Sequence, residues 1–214
     1  MIISDVMTKN PISVRPDMSV TEVRALMDRE QIGHLPVLDK NNKLVGILTK
    51  KDMLKAGPSA ATSLDMYEIS YLLSRLTVEK IMVKNVITVT ENDVVEEAAR
   101  IMADKDIGCL PVMKGDLLVG IITETDLFHV FVKAFGARHS GVRITINVTE
   151  KPGQLAKLTH AIADKGGNIV ALISAEGDDP EHLRITLKIT GMSRGDIEAS
   201  VHTMPDAELE DIRE

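Results

Sequence analysis

The chain has 214 residues, of which 44% are hydrophobic and 27% charged, the balance of an ordinary globular protein. Aromatic residues make up only 2% and the formal net charge is -7, so the composition disfavours nucleic-acid binding by base stacking or by a broad basic surface. Cys109 is the single cysteine, which excludes an internal disulfide and fits a reducing compartment. The amino terminus lacks a signal-peptide pattern, and no apolar run reaches the roughly 18 residues of a membrane helix. We therefore expect a cytoplasmic protein without a membrane anchor.

The first half of the chain contains an internal repeat. With a shift of 75 positions, residues 6–39 align with 81–114, and thirteen of these 34 pairs are identical. Residues 33–37 (GHLPV) recur as 108–112 (GCLPV), and residues 45–52 (VGILTKKD) recur as 119–126 (VGIITETD). Two copies of one structural unit are predicted, and since a half-unit of this size cannot cover its own sheet, we expect the copies to pack together.

Each repeat predicts the same order of elements. In the first, an extended stretch at 12–14 precedes a helix whose apolar face contains Val20, Val23 and Met27. Ser19 and Glu22 have capping-box spacing at its start, and Asp93 with Glu96 predicts a similar start in the second repeat. Strands at 35–38 and 44–48 follow, and a last helix begins near Thr49. Between the repeats, residues 57–59 (GPS) break the chain and 66–76 form an amphipathic connecting helix.

The motif with a chemical signature is glycine, two apolar residues, threonine, two variable residues and aspartate. It occurs at residues 46–52 and 120–126, where a strand passes into a helix. A helix amino terminus offers N–H groups and a partial positive charge to a phosphate, and a carboxylate one turn later can accept hydrogen bonds from a ribose diol. Glycine permits close approach of the backbone to a ligand. The alternative is that the motif is a capping box that only starts the helix. The occurrence of the whole motif in both repeats favours ligand binding.

Residues 1–135 resemble a tandem pair of CBS domains, a module that often binds AMP, ADP, ATP or related adenosyl ligands in clefts between its repeats. The resemblance implies that Asp52 and Asp126 hold ribose and that Thr49 and Thr123 lie near phosphate, with Lys50 beside them. It also implies an adenine site flanked around Ile12, Ser13, Ile87 and Thr88, with apolar walls from Leu35, Pro36, Leu110 and Pro111. S-adenosylmethionine and NAD are second-choice ligands, and no tightly bound catalytic cofactor is expected.

The two motifs differ in charge. Lys50 and Lys51 correspond to Glu124 and Thr125, so the first site is predicted to prefer the more highly phosphorylated ligand. The alternative is that these lysines are merely solvated. Pro11 corresponds to Val86, which also argues against full equivalence of the two clefts.

The pattern changes near residue 140. Val142, Ile144, Ile146 and Val148 alternate with polar residues as in a half-buried strand. A helix with Leu155, Leu158 and Ile162 on one face then ends at Gly166 and Gly167. Strands at 168–175 and 182–189 flank an acidic turn, 176–181, which we interpret as a solvated hairpin rather than a cation site. A helix at 194–204 and a strand at 209–212 complete a β-α-β-β-α-β order.

This segment resembles an ACT domain, a module that commonly binds an amino acid, through Pro152-Gly153-x-Leu155 and Gly167-Asn168-Ile169. By that resemblance Gly153, Gln154, Leu155 and Asn168 are candidate effector contacts; the alternative is that the glycines serve only as turns. The predicted fold is α+β: a two-repeat CBS module of small sheets packed with helices about a pseudo-two-fold, plus a ferredoxin-like βαββαβ ACT domain. The predicted boundaries are 1–56, 57–77, 78–135 and 140–214.

The whole architecture resembles the acetoin-utilisation regulatory protein family, which implies a non-enzymatic sensor that controls a metabolic partner enzyme and forms a homodimer or larger homo-oligomer. The six histidines lack metal-ligand spacing, and Cys109, opposite His34 in the repeat, is predicted to be a core residue. The alternative function is an interaction scaffold with structural, ligand-free clefts that docks on a partner enzyme.

Overall fold

The computed structural model describes residues 1–56, 65, 67–68, 71, 75–177 and 179–214. The chain divides into two compact units, Met1–Leu127 and Phe128–Glu214. The predicted chain break at 57–59 and most of the predicted connecting helix at 66–76 lie outside the described residues.

The first unit contains both repeats. Its described elements are a 3₁₀ helix (Ile3–Asp5), β1 (Thr8–Lys9), α1 (Val20–Arg29), β2 (His34–Leu38), β3 (Leu44–Thr49), α2 (Lys50–Ala56), α3 (Val78–Ile81), β4 (Val89–Thr90), α4 (Val95–Lys105), β5 (Cys109–Lys114) and β6 (Leu117–Thr123). Helix α5 (Glu124–Ala134) follows and continues past the division between the units. The strands and helices of the two repeats thus alternate as predicted.

The two repeats exchange their first extended segments. Strand β1 of the first repeat pairs antiparallel with β6 of the second, with Thr8 opposite Ile121. In the equivalent place, Val83 of the second repeat forms an antiparallel bridge with Ile47 in β3 of the first. Apart from these exchanged pieces, β2 and β3 form one antiparallel pair, and β5 and β6 form the other. Each small sheet is therefore completed by the other repeat.

The cores follow the same exchange. Ile3 is fully buried in the core of the second repeat, and Val78, its equivalent after the shift of 75, is fully buried in the core of the first. A third cluster, formed by Ile47, Cys109 and Ile121, joins strands of both repeats. The expectation that Cys109 is a core residue is confirmed.

The two long helices of the repeats begin differently. The Ser19–Glu22 capping box is present: the Ser19 hydroxyl accepts from the Glu22 N–H at 3.2 Å, and the Glu22 carboxylate accepts from the Ser19 N–H at 3.0 Å. The matching prediction for Asp93 is wrong, because α4 has Val94 at its N-cap without a side-chain hydrogen bond. The Asp93 carboxylate instead accepts from the Thr90 N–H at 2.7 Å and closes the preceding turn.

The second unit is ferredoxin-like, as predicted. Its further elements are β7 (Val142–Thr149), α6 (Gln154–Ala163), β8 (Asn168–Glu176), β9 (His182–Thr190), α7 (Arg194–His202) and β10 (Ala207–Arg213). The strands form an antiparallel sheet in the order β10-β7-β9-β8, and its core includes Ile144, Ile146 and Leu187, all fully buried. Gly166 has φ of +77° and ends the helix region as expected.

The buried face of α6 differs from the predicted one at a single position, where Gln154 replaces Leu155. Leu158 and Ile162 are buried as expected, but Leu155 is 38% exposed and Gln154 is only 4% exposed. Positions 154, 158 and 162 are spaced by four residues and therefore share one face of the helix. The amide of Gln154 donates to the Asp206 carboxylate at 3.1 Å, which satisfies a polar group in this position.

Candidate functional site

The two threonine–aspartate motifs have the same local geometry. The Asp52 carboxylate oxygen Oδ2 accepts from the Thr49 N–H at 3.0 Å and from its hydroxyl at 2.7 Å, and the Asp52 N–H donates back to the Thr49 hydroxyl at 3.2 Å. In the second motif the same three distances, between Thr123 and Asp126, are 2.8, 2.8 and 3.4 Å. Both motifs therefore form a reciprocal cap at the start of their helices. One carboxylate oxygen of each aspartate, Oδ1, has no hydrogen-bond partner among the described residues.

The cap uses most of the N–H groups that the sequence assigned to a phosphate. Besides the bonds between Thr49 and Asp52, the Lys50 N–H donates to the Gly33 carbonyl at 3.0 Å. The Glu124 N–H donates in the same way to the Gly108 carbonyl at 3.1 Å. Of the first four amides of the first motif, only that of Lys51 is left over. A phosphate at this motif must therefore be held mainly by lysine ammonium groups.

The first motif lines a cleft of about 490 Å³, which we call the first cleft. One wall comes from the first repeat and contains Thr49 and Asp52; the opposite wall comes from the second repeat and contains Ile87 and Pro111. The remaining lining residues are Gly33, His34, Ile47, Lys50, Lys51, Lys55, Val83, Asn85, Val86, Asp106, Ile107, Gly108, Cys109 and Glu124. The cleft thus has hydrophobic, cationic and anionic sections, and its volume is within the range of ordinary ligand sites.

The structure brings together some of the predicted site residues and separates others. Thr49, Lys50, Asp52, Ile87 and Pro111 all line the first cleft. Leu35 and Leu110 are fully buried in the cores of their own repeats and are not among the residues that line the cleft. Pro36 is also buried, Ile12 and Ser13 are exposed, and Thr88 lines a separate recess of about 480 Å³.

Sequence reasoning missed several charged residues of the first cleft. Glu124 belongs to the second motif and yet lines the first cleft, together with Asp106 and Lys55. The cleft therefore contains three lysines and three carboxylates. The sequence feature that could have indicated Glu124 is its alignment with Lys50 in the repeat. That alignment showed that the two motifs differ in charge, but it placed Glu124 only at the second motif.

His34 is half-buried beside the charges of both motifs. Burial lowers its pKa below the ordinary value of 6.5, against the opposing influence of the Glu124 and Asp52 carboxylates. Cys109, which corresponds to His34 in the repeat, has a pKa raised to about 12 because burial disfavours the thiolate. At neutral pH the first cleft is therefore lined by a neutral imidazole, that of His34, and by an unreactive thiol, that of Cys109.

The motif glycines have a packing role that differs from the predicted one. Gly46 and Gly120 are buried in strands β3 and β6. A Cβ at Gly46 would overlap the Met82 side chain, and a Cβ at Gly120 would overlap Met7. Each glycine accommodates a methionine from the exchanged segment of the other repeat, so these contacts join the repeats and do not face a ligand.

The four candidate effector residues of the second unit are not brought to one place. Gly153 lies at the amino end of α6 and has φ of +91°, next to buried Gln154 and exposed Leu155. Asn168 begins β8 beyond the other end of that helix, opposite Thr190. Within one chain they form two separate groups of candidate contacts.

Neither a metal cluster nor a membrane helix is found in the part of the chain that the structure describes. Its histidine, cysteine and carboxylate side chains form no group of three or more placed to hold a metal ion. Its helices include none with the length and apolarity to cross a membrane.

Comparison with protein families agrees with this architecture. The CBS domain family model matches residues 3–59 and 78–133, which together are more than half of the chain. The chain belongs to the CBS domain family. Residues 140–213 match the TTHA0829-like ACT domain, so a CBS pair is followed by an ACT domain, as the sequence indicated.

Solved relatives share the fold of the CBS pair. The CBS domain pair of protein MJ0100, in complex with 5′-methylthioadenosine and S-adenosyl-L-methionine, has a TM-score of 0.52 and 30% identity, covering 65% of this chain and 98% of that chain. A putative acetoin utilization protein (AcuB) from Vibrio cholerae has a TM-score of 0.54 and 30% identity, covering 64% and 95%. The resemblance of this chain to the acetoin-utilisation family is therefore supported by a solved structure.

Curated relatives include enzymes that carry a similar region. The L-aspartate semialdehyde sulfurtransferase of Methanocaldococcus jannaschii is 31% identical over 131 residues, which are 61% of this chain and 23% of that protein. The chain thus spans about a quarter of the length of this relative.

Proposed function

We propose that this protein is a non-enzymatic regulatory sensor that binds an adenosine nucleotide in the first cleft. The observation that carries the proposal is the joint position of Thr49 and Asp52 opposite Ile87 and Pro111 in one cleft of about 490 Å³. A polar group for ribose thus faces apolar groups for adenine across the boundary between the repeats. The adenosyl ligands of the MJ0100 CBS pair support the same ligand class.

Asp52 is the proposed ribose contact. Its Oδ2 already accepts two hydrogen bonds from Thr49, which fixes the orientation of the carboxylate. Its Oδ1 has no partner among the described residues and is available to accept from a ribose hydroxyl. A carboxylate held in place in this way binds hydroxyl donors without losing further side-chain entropy.

Lys50, Lys51 and Lys55 are the proposed phosphate contacts of the first cleft. Their positions in the second motif are occupied by Glu124, Thr125 and His129, so the second site lacks this set of cations. We therefore propose that the first cleft prefers ATP or ADP and that the second motif accepts AMP. Glu124 weakens the preference because it adds a negative charge to the first cleft.

Regulation would follow from the two-sided construction of the cleft. A ligand that contacts both repeats shifts the population toward whichever arrangement of the repeats it binds more tightly. We propose that this change controls a metabolic partner enzyme. The fold shared with an acetoin utilization protein supports a role in carbon utilisation. An amino acid at the ACT domain, near Gly153 and Leu155 or near Asn168, would be a second input.

Helix α5 supports self-association, and we propose a homodimer. No residue of this helix is buried, although it contains two of the three phenylalanines of the chain, and the third, Phe135, directly follows it. Phe128 is 68% exposed and Phe131 56% exposed. Two exposed aromatic side chains on one helix are typical of an interface. Sedimentation velocity of the wild type and of a Phe128→Ser/Phe131→Ser variant tests this proposal. We expect the wild type to be a dimer and the variant to be a monomer. Equal sedimentation coefficients for the two proteins would contradict the proposed interface.

Thermal unfolding with a set of ligands tests the sensor function. AMP, ADP, ATP, S-adenosylmethionine and NAD are each added with and without an amino-acid mixture. A ligand at 100 times its dissociation constant stabilises its binding domain by about 2.7 kcal/mol, which is a readily measured shift. We expect a shift with at least one adenosine nucleotide that is lost in Asp52→Ala. No shift with any of these ligands would favour the scaffold function, in which the clefts are structural.

A further inference from the structure

The second unit contains a basic recess that is separate from the first cleft. It has a volume of about 370 Å³ and is lined by His129, Val132, Lys133, Arg138 and His139. Four of these five side chains are basic, and none of the four lies within 4 Å of a carboxylate of a described residue. By contrast, Arg143, Arg184 and Arg213 of the same unit each contact a carboxylate within 3.0 Å.

The sequence around the recess lacks compensating charge. No aspartate or glutamate occurs between Asp126 and Glu150, although the chain has 32 acidic residues and a net charge of -7. The basic groups of the recess therefore repel one another without an acidic neighbour along the chain. Uncompensated positive charge in an acidic protein indicates a place where an anion provides the compensation.

The basic residues of the recess lie on helix α5 (His129 and Lys133) and at the end of the turn that follows it (Arg138 and His139). Gly136 has φ of +60°, and a Cβ there would approach the Cβ of Ala171 in β8 to 3.1 Å, so the turn packs closely on the sheet of its own unit. The turn places Arg138 and His139 opposite Lys133, which lies on the last turn of α5. An ordered arrangement of donors lowers the entropic cost of binding an anion.

Stabilisation of the helix end alone does not account for these residues. Cations near a helix carboxyl terminus interact favourably with its dipole. However, the last carbonyls of α5 already have backbone donors: the Phe131 carbonyl accepts from the Phe135 N–H at 3.0 Å, and the Val132 carbonyl accepts from the Ala137 N–H at 3.1 Å. The side chains are therefore free to bind an external group.

We propose that this basic recess binds a small multivalent anion, namely a phosphorylated or pyrophosphorylated metabolite. Lys133 and Arg138 supply permanent positive charge, and Arg138 presents a planar guanidinium that suits two oxygens of one phosphate. His129 and His139 supply further N–H donors. The volume accommodates a diphosphate group with its bound water and only a small organic substituent.

Calorimetric titration with inorganic pyrophosphate at low ionic strength tests the proposal on the full chain. A Lys50→Gln/Lys51→Gln/Lys55→Gln background removes all three lysines of the first cleft, so that failure there and failure of the basic recess are distinguishable. We expect one saturable site, with affinity reduced roughly tenfold or more by Lys133→Gln and by Arg138→Gln, and reduced less by Arg138→Lys, which keeps the charge but loses the planar guanidinium. The matched control is Lys157→Gln, the same charge change at an exposed lysine of the same unit.

Three outcomes would overturn the proposal. The first is no pyrophosphate binding in the background variant. The second is an equal loss of affinity in the Lys157→Gln control, which would indicate a general charge effect. The third is a lower melting temperature of Lys133→Gln and Arg138→Gln with unchanged pyrophosphate affinity, which would show that these residues only stabilise the end of α5.

Discussion

Asp52 has two roles in this account, and two substitutions separate them. Asp52→Ala removes the acceptor of the Thr49 N–H and hydroxyl, which lie at 3.0 and 2.7 Å. Loss of this cap should lower the free energy of unfolding by about 1–2 kcal/mol even without a nucleotide. Asp52→Asn keeps one oxygen for the Thr49 N–H and hydroxyl and replaces the other, Oδ1, by an NH2 group, so its cost without a nucleotide should be about 0.5 kcal/mol or less.

The same two substitutions should both weaken the binding of ATP, the ligand proposed for the first cleft. With the amide oxygen bound to Thr49, the NH2 group that replaces Oδ1 cannot accept from a ribose hydroxyl, so Asp52→Asn should weaken ATP binding at the first cleft roughly tenfold despite its near-normal stability. Urea unfolding gives the stability of each variant, and calorimetric titration gives its affinity. Wild-type ATP affinity in Asp52→Asn, or equal destabilisation by both substitutions, would refute the separation of the two roles.

Three further predictions concern packing, helix orientation and pH. Gly120→Ala should destabilise the protein by about 1–3 kcal/mol because its Cβ overlaps a methionine of the other repeat, whereas Gly33→Ala, with open space around it, should be close to neutral; urea unfolding of both variants measures the difference. Gln154→Ala should cost about 1–2 kcal/mol through its buried hydrogen bond, and Leu155→Ala about 0.5 kcal/mol; the reverse order in thermal unfolding would restore the predicted helix face. Because burial lowers the pKa of His34, the unfolded chain binds a proton at this residue before the folded one, so the stability it contributes is lost as pH falls below about 6.5. His34→Gln should flatten that part of the stability–pH profile, and an unchanged profile would contradict the assignment.

The sequence predicted the repeats well because both copies carry the same local signals. Apolar spacing predicted the buried face of α1, and the Ser19–Glu22 spacing predicted its cap. The exchange of β1 and Val83 between the repeats could not be predicted, because it depends on pairing between segments more than 30 residues apart. The only local sign of the exchange was the glycine in each motif, which makes room for a methionine of the other repeat. From the sequence alone, that glycine is explained by close approach of a ligand.

The charged groups of the candidate site were predicted on one side only, whereas Ile87 and Pro111 of the opposite wall were named through the family resemblance. Residues within the motif, such as Thr49 and Asp52, follow from their spacing along the chain. The opposite wall, with Asp106 and Glu124, comes from the other repeat, and no local spacing connects it to the first motif. In the ACT domain, the position of Gln154 rather than Leu155 in the core depends on Asp206, which is 52 residues away.

The most direct test of the central proposal is to observe the apolar wall of the first cleft when a nucleotide is added. Isoleucine methyl groups are labelled in the full chain, and their NMR shifts are followed during titration with AMP and with ATP. Ile87 lines the cleft, whereas Ile146 is buried in the core of the second unit and serves as the internal control. We predict a saturable shift of the Ile87 methyl group, unchanged Ile146, and loss of the effect in Asp52→Ala. An unchanged Ile87 signal at millimolar AMP and ATP would contradict nucleotide binding in this cleft.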